Sequence, residues 1–239
     1  MKRLLLIVLP LLLIVGCSSP EPINYETTLI ERDGVFYTKD TNKPYSGPVF
    51  SLSNSGKKND EGILLNGKKD GLYTEWYENG QKVEEGTYKD GKKDGLWTRW
   101  YGDGQKLREG TYKDGEEVGK WTYWYENGQK KREGTYKDGK LNGLWTRWYE
   151  NGQKYYVRTY KDGKKDGLMT FWYENGQKKY ERTYKDGKQE GIETWWYENG
   201  EDIVIACEET WKDGDSISKE CWDKDGNECE CYEYGHRCK

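Results

Sequence analysis

Short apolar and aromatic runs alternate with polar, glycine-containing turns along most of the chain, and the pattern repeats every 24 residues. The run at Gly71 reads Gly-Leu-Tyr-Thr-Glu-Trp-Tyr, and Asn79-Gly80 follows it. Near-copies begin at Gly95, Gly119, Gly143, Gly167 and Gly191, and a degenerate copy begins at Gly47. A period between 20 and 50 residues indicates a tandem array of one supersecondary unit. Such an array excludes most enzyme architectures.

Each unit predicts a β-hairpin. The aromatic and β-branched run has no helical period and is therefore typical of a strand. Asn-Gly between two extended runs favours a type I′ turn, because that turn needs positive φ at both central residues. A second turn, such as Asp114-Gly115, leads into the next unit. We predict an all-β fold, an elongated antiparallel sheet of tandem hairpins that twists as a ribbon.

Side chains alternate between the two faces of a strand, so the repeats place equivalent residues in columns. The tryptophan column contains Trp76, Trp100, Trp124, Trp148, Trp172 and Trp196. The tyrosine column, on the opposite face, contains Tyr77, Tyr101, Tyr125, Tyr149, Tyr173 and Tyr197. A variable column precedes the tryptophans and contains Glu75, Arg99, Tyr123, Arg147, Phe171 and Trp195. The constant tryptophans predict a buried seam, and the variable column is expected to face solvent.

Residues 1–16 predict a signal peptide. A short basic stretch, Lys2 and Arg3, precedes an apolar run that is shorter than the roughly 20 residues of a membrane helix. The segment Leu-Ile-Val-Gly-Cys ending at Cys17 resembles the lipobox of bacterial lipoproteins. That resemblance implies a lipid on Cys17 that anchors the protein to a membrane. The alternative is an ordinary signal peptide followed by a buried or disulfide-bonded Cys17.

The residue after the predicted lipid site bears on the location of the protein. Ser18 stands where an Asp would indicate retention in the inner membrane of a Gram-negative cell. The same resemblance therefore implies the outer membrane there, or the outer face of the plasma membrane in a single-membrane cell. We expect residues 17–31 to be a lipidated tether and residues 32–46 an opening segment. The repeat array is then predicted over residues 47–214.

Charge and composition narrow the possible partners. The charged fraction of 34% and the mean hydropathy of −1.18 favour disorder, but the aromatic content of 15% recurs at fixed places and favours folding. Loss of residues 1–16 removes Lys2 and Arg3 and no acidic residue, so the net charge changes from −4 to −6. Lysine pairs lie beside aspartates, and no basic stripe is evident. Nucleic-acid binding is therefore not expected.

The last part of the chain departs from the repeat and is rich in cysteine. The candidates for disulfide formation are Cys207, Cys221, Cys229, Cys231 and Cys238. In an exported chain, five cysteines allow two disulfides and one free thiol, with the connectivity open. Residues 215–239 are therefore predicted to form a cross-linked cap over the open edge of the array. The alternative is a zinc site of three of these cysteines, Cys229, Cys231 and Cys238, with His236.

Catalytic chemistry has little support in the sequence. His236 is the sole histidine, so no triad with a histidine can form elsewhere in the chain. There is no phosphate loop and no nucleophile elbow. Most of the carboxylates lie in turns, and no pair of them is singled out for glycoside hydrolysis. In residues 223–228 they favour a tight turn over a calcium loop. We expect a protein that is not an enzyme and that has no cofactor and no metal.

Residues 143–154, Gly-Leu-Trp-Thr-Arg-Trp-Tyr-Glu-Asn-Gly-Gln-Lys, resemble the MORN-repeat variant family, whose pattern is Gly-x-x-x-x-Trp-Tyr-x-Asn-Gly-x-x. Residues 32–47 also look like the family's usual opening segment, and the resemblance extends to about Gly214. It implies an elongated array of β-hairpins that makes protein contacts close to a membrane. Some bacterial relatives are labelled antitoxin-like.

These observations predict a lipid-anchored scaffold of the cell envelope that binds an unknown protein partner. Two alternatives stay open. One is recognition of a surface polymer or glycan by exposed aromatic columns. The other is an antitoxin-like or immunity-like binder. Continuous rows of solvent-facing tryptophan would favour a polymer, and a patch rimmed by mixed charges would favour a protein.

Overall fold

The computed structural model describes residues 20–198, 204–232 and 235–239. The predicted signal peptide and Cys17 lie outside the described residues. Strands are the main secondary structure of the described part of the chain, and turns and loops make up most of the rest, which confirms the all-β prediction. Its one helix, α1 (Tyr25–Thr28), has four residues. No helix in this part is long and apolar enough to cross a membrane.

The strands follow the repeat. They are β1 (Ile23–Asn24), β2 (Leu29–Arg32), β3 (Val35–Thr38), β4 (Gly47–Leu52), β5 (Lys58–Leu65), β6 (Lys68–Lys69), β7 (Gly71–Trp76), β8 (Lys82–Lys89), β9 (Lys92–Lys93), β10 (Gly95–Trp100), β11 (Lys106–Lys113), β12 (Glu116–Trp124), β13 (Lys130–Lys137), β14 (Lys140–Trp148), β15 (Lys154–Lys161), β16 (Lys164–Trp172), β17 (Lys178–Lys185), β18 (Lys188–Trp196), β19 (Ile205–Lys212), β20 (Asp215–Trp222) and β21 (Glu228–Cys229).

Nineteen of these strands form one long sheet, and β2 and β3 form a separate hairpin. From β4 onward each long strand pairs antiparallel with the next one along the chain. The short strand β1 pairs parallel with β4, so the sheet is mixed at that end. The tandem hairpin array predicted from the sequence is confirmed.

The two turns of the unit differ from the prediction. In the Asn-Gly turn only Gly80 has positive φ, at 85°. Gly80 N donates to the Tyr77 carbonyl at 2.9 Å, and Tyr77 N donates to the Gln81 carbonyl at 2.8 Å. This is a three-residue loop that ends in a left-handed glycine. The turn with two positive φ values lies instead at Asp90-Gly91, at 50° and 81°. The predicted type I′ turn at Asn-Gly is therefore wrong.

The buried seam lies in a different column from the one predicted. The tryptophan column is half-buried throughout. The deepest rings belong to Trp97, Trp121 and Trp145, on the opposite face. Trp121 is 1% exposed, and a Cβ added to Gly110 would lie 2.1 Å from its ring. In a single sheet no second layer covers a large ring. The ring is buried here because it packs against a glycine of the neighbouring strand, which has no side chain in the way.

The sheet continues past residue 214, where the repeat array was predicted to end. Strand β20 pairs with β19, and Tyr197 Oη donates to the Trp222 carbonyl at 3.0 Å. Gly226 N donates to the Asp223 carbonyl at 3.1 Å, as in the equivalent turns of the earlier units. The tight turn predicted for residues 223–228 is confirmed. The cysteine-rich tail is thus a further hairpin of the same plan.

The N-terminal end of the sheet is covered by residues that were assigned to the tether and the opening segment. Leu29 packs with Val49 and Leu64 in a small buried cluster. Tyr25 Oη donates to Asp60 Oδ2 at 2.9 Å, and Ser51 Oγ donates to the same oxygen at 2.6 Å. Part of the predicted tether is therefore fixed against the first unit.

Candidate functional site

The tryptophan column carries lysines on its rings. Lys82 Nζ lies 5.8 Å from the ring centroid of Trp100, which belongs to the next unit. The other five tryptophans have equivalent lysines at 5.4–5.8 Å. Cations over aromatic faces are attracted by the ring quadrupole. Because the rings are half-buried and also covered by lysine, the column does not present a row of open ring faces.

The tyrosine column joins each unit to the next. Tyr101 Oη donates to the Trp124 carbonyl at 2.8 Å, and Tyr125 Oη donates to the Trp148 carbonyl at 2.8 Å. The same bond recurs from the other four tyrosines at 2.9–3.0 Å. These phenols are half-buried, and burial raises the pKa of Tyr101. The tyrosine column is therefore a structural element of the array.

An aliphatic stripe, absent from the sequence-based predictions, lies on the tryptophan face. It consists of residues that directly follow the first glycine of each unit: Leu72, Leu96, Leu144, Leu168 and Ile192. Their exposed fractions are 51–63%. In the remaining central unit Lys120 takes this position and pairs with Glu133 at 3.0 Å. Large exposed apolar side chains in register mark an interaction surface. The signal available in the sequence is the Gly-Leu pair that opens four of the six units.

On the opposite face, strand pairing aligns side chains into one row across the sheet. We call it the cross-sheet row. In order it contains Asp60, Glu75, Glu84, Arg99, Arg108, Tyr123, Arg132, Arg147, Tyr156, Phe171, Tyr180, Trp195, Cys207, Cys221 and Cys229. Acidic residues come first, then arginines, then aromatic rings, then cysteines. The variable column supplies part of this row.

The prediction that the variable column faces solvent is wrong for its aromatic members. Tyr123 is 8% exposed and Phe171 is 6% exposed, whereas Arg99 is exposed. The large rings of this column extend the core of the central units. The residue type in this column therefore changes along the sheet, from charged residues at the N-terminal end to aromatic residues at the C-terminal end.

The acidic end of the row is compensated by lysines. Glu84 Oε1 is 3.1 Å from Lys93 Nζ, and that nitrogen is 3.6 Å from the ring centroid of Trp97. Burial lowers the pKa of Lys93, although Glu84 acts against this shift. Burial also raises the pKa of Glu75, and the charge of Glu84 raises it further. Glu84 is thus ion-paired with Lys93, and Asp60 accepts hydrogen bonds from Tyr25 and Ser51.

The aromatic end of the row is a stack of rings. Centroid distances are 4.3 Å from Phe171 to Tyr180, 4.2 Å from Tyr180 to Trp195 and 4.1 Å from Trp195 to His236. His236 reaches this position because the C-terminal tail folds back over the sheet. Its Nδ1 lies 3.8 Å from Glu209 Oε2, and burial lowers its pKa.

The cysteines at the end of the row form two disulfides, as predicted. The pairs are Cys221–Cys231 and Cys229–Cys238, and Cys207 is buried as a free thiol. Burial raises the pKa of Cys207 to about 11. The three cysteines of the alternative zinc site, Cys229, Cys231 and Cys238, are all engaged in these disulfides, and His236 is stacked on Trp195. The sulfurs of Cys207, Cys221 and Cys231 lie within 4.8 Å of one another.

Comparison with known proteins identifies the repeat. The family model for the MORN repeat variant matches six consecutive segments: residues 69–90, 93–114, 117–138, 141–162, 165–186 and 189–201. No curated protein matches the chain.

Proposed function

Because the chain belongs to the MORN repeat variant family, we propose that it is a non-catalytic scaffold that binds a protein partner through the aliphatic stripe. A lipid on Cys17 holds this scaffold in the cell envelope. The membrane is the outer membrane if the cell is Gram-negative, and otherwise the outer face of the plasma membrane.

The aliphatic stripe is the observation that carries this proposal. Its five side chains keep more than half of their surface in water, although each adds apolar area that costs about 25 cal/mol per Å² to expose. Units are two strands apart, so members of the stripe in adjacent units are separated by about 10 Å, and Leu96 and Leu144, with Lys120 between them, by about 20 Å. A protein with apolar side chains at a similar spacing along an extended face fits this surface. An antitoxin-like role would be one case of such binding.

Binding of a glycan or another surface polymer is the second candidate. It requires aromatic rings with open faces for sugars to stack on. The tryptophan column is half-buried beneath lysines, and Tyr123 and Phe171 are buried. The stripe of leucines, with Lys120 and Glu133 at its centre, has the mixed apolar and charged character of a protein interface. These features support a protein partner over a polymer.

A capture experiment tests the stripe. The full chain is used as bait on membranes of its own cell, beside a variant in which four leucines of the stripe are replaced. The replacements are Leu72→Thr, Leu96→Thr, Leu144→Thr and Leu168→Thr. A matched control replaces exposed lysines at the strand ends: Lys89→Gln, Lys113→Gln, Lys137→Gln and Lys161→Gln. We expect proteins held by the wild type and by the lysine control to be lost from the leucine variant. Equal capture by all three would refute the stripe, and capture of a polysaccharide alone would favour the glycan.

Lipidation of Cys17 is tested separately. Metabolic labelling with an alkyne fatty acid is expected to mark the wild type and to leave Cys17→Ser unlabelled and released from membranes. Undiminished label in the variant contradicts the anchor without affecting the scaffold proposal.

A further inference from the structure

The cross-sheet row contains four arginines, Arg99, Arg108, Arg132 and Arg147, which we call the arginine row. We propose that the arginine row is a binding site for an acidic polypeptide segment. It lies on the face opposite the aliphatic stripe and uses different chemistry. It therefore stands independently of the proposed scaffold surface.

The arginines lie in pairs of like charge. Arg99 is directly opposite Arg108 on the paired strand, and Arg132 is directly opposite Arg147. Like charges in directly opposed positions destabilise a sheet. Within the described residues, none of the four forms an ion pair or a hydrogen bond. The repulsion between these arginines destabilises the free sheet. An anion bound from outside would relieve that repulsion and give the unpaired guanidinium groups a partner.

The acidic residues beside the arginine row do not neutralise it. Glu84 is opposite Arg99, but its carboxylate is ion-paired with Lys93. Burial raises the pKa of Glu75 and the charge of Arg99 opposes this shift, but within the described residues the two side chains form no ion pair. Elsewhere on the same face an arginine does receive an internal partner, because Arg182 Nη2 is 2.6 Å from Glu193 Oε1. An arginine of this sheet can therefore form an ion pair with a glutamate of the sheet, as Arg182 does, but the four members of the arginine row do not.

Aromatic rings lie next to the guanidinium groups of three of the four arginines. The Cζ of Arg132 is 3.8 Å from the ring centroid of Tyr123, and the Cζ of Arg147 is 5.4 Å from that of Tyr155. The Cζ of Arg108 is 5.7 Å from the centroid of Trp121. Contact with a ring uses the flat side of the guanidinium, and its N–H edge stays available to an acceptor. Arginines ordered in this way lose less entropy when they bind an anion.

The chemistry of the row favours carboxylates on a polypeptide. A guanidinium fork matches a planar carboxylate in two parallel hydrogen bonds. The ring below Arg132 is buried and covered, so a sugar would find no open face for stacking. From Arg99 to Arg147 the row crosses four strand spacings, about 19 Å, which is the length of about six extended residues. A short segment rich in Glu or Asp therefore fits the length and the charge.

The test measures binding of a fluorescein-labelled deca-glutamate peptide to the full chain by fluorescence anisotropy. The variant replaces all four arginines by glutamine: Arg99→Gln, Arg108→Gln, Arg132→Gln and Arg147→Gln. The four-lysine variant described above is the matched control, because it removes the same charge from other exposed sites. We expect the arginine variant to bind at least about tenfold more weakly, at 1.4 kcal/mol per tenfold, and the lysine variant to bind like the wild type. Added salt should weaken the wild-type complex.

Several results would overturn the proposal. These are no binding by the wild type, an equal loss in the lysine variant, or tighter binding of polygalacturonate, an acidic glycan, than of the peptide. The double variant Arg99→Gln with Arg132→Gln changes only the two exposed members, so it tests the row if the quadruple variant does not fold. The four-leucine variant of the stripe must still bind the peptide, which separates failure of this site from failure of the scaffold surface.

Discussion

The central units and the C-terminal units fill the same buried position of the repeat with different side chains. In the central units Trp97, Trp121 and Trp145 lie on the glycines Gly86, Gly110 and Gly134 of the neighbouring strands. At the equivalent positions of the next two units the rings are replaced by Met169 and Glu193, and the glycines by Arg158 and Arg182. The strand pairing is the same in both regions. One backbone plan therefore accepts an apolar interior or a charged one.

The charged version depends on complete pairing. Glu193 is 1% exposed and accepts from Arg182 at 2.6 Å and from Trp195 Nε1 at 2.6 Å. Gln189 donates to the same carboxylate. A buried charge is tolerated only when partners replace its water. A tryptophan ring packed on a glycine needs no hydrogen-bond partners, but the facing residue of the neighbouring strand must be a glycine. Each solution is thus sensitive to a different kind of substitution.

The largest effect of a single substitution is expected from removing a central ring. Trp121→Ala should lower the free energy of unfolding by about 3–5 kcal/mol, because the ring is fully buried and a strand with glycine cannot fill the cavity. Urea unfolding measures the loss. The control is Trp148→Ala in the half-buried tryptophan column, for which we expect a clearly smaller loss. The reverse ranking would show that the tryptophan column is the seam after all.

The C-terminal region should depend on its covalent bonds more than the central region does. Reduction of Cys221–Cys231 and Cys229–Cys238 removes two closed loops of about ten residues, each of which stabilises by about 2–4 kcal/mol. In an array of nearest neighbours the loss stays local. Hydrogen exchange after mild reduction should therefore rise in residues 204–232 and not in residues 95–161. A uniform rise along the sheet contradicts this view.

A methyl group on a central glycine tests the ring packing from the other side. Gly110→Ala should destabilise by about 1–3 kcal/mol, because the new Cβ would lie 2.1 Å from the Trp121 ring. Gly102→Ala is the matched control, since nothing lies within 4 Å of its Cβ position, and should change stability by less than about 0.5 kcal/mol. Thermal unfolding distinguishes them. Equal unfolding midpoints for the two variants would mean that the Trp121 ring can move away from the new methyl group without a loss of stability.

The smallest effect concerns the pH dependence of the charged region. Burial raises the pKa of Glu193 above 4.5, although Arg182 and its other partners act against this shift. A carboxyl whose pKa is higher in the folded chain stabilises it fully below the unfolded pKa. That contribution is lost as the pH rises through the folded pKa. Glu193→Gln should remove this part of the pH dependence of unfolding, and Trp121→Phe should leave it in place. An unchanged profile in the glutamine variant would contradict the raised pKa.

The sequence predicts the repeat, the hairpins, the two disulfides with one free thiol and the turn at residues 223–228. It misplaces the seam because a residue that is constant in every unit, such as the tryptophan column, need not be buried. A better signal is the glycine two residues before the return-strand tyrosine in three units, at Gly86, Gly110 and Gly134, because a ring can lie there. The aliphatic stripe is visible in the sequence as a leucine or isoleucine after the first glycine of five units, but exposure of these side chains follows only from the assembled sheet.

The cross-sheet row could not be predicted from the sequence, for a different reason. Its members alternate between outgoing and return strands, so Arg99 and Arg108 are neighbours only once the register is known. Arg132 and Arg147 are separated by 15 positions in the chain and are opposite each other in the sheet. A column-by-column comparison of repeats follows only every second strand. The grouping of acids, arginines, rings and cysteines therefore emerges from pairing and not from the periodicity.

The tyrosine-to-carbonyl bond between successive units has a consequence for how such a chain can change in length. Each bond connects positions 23 residues apart in most units, so it depends on spacing and not on place in the array. Duplicating or deleting a whole 24-residue unit leaves every remaining bond with its proper partner. Inserting one residue within a strand breaks the local bond and turns the following side chains to the other face. Genetic change in whole units is therefore the route by which this sheet grows or shrinks without refolding.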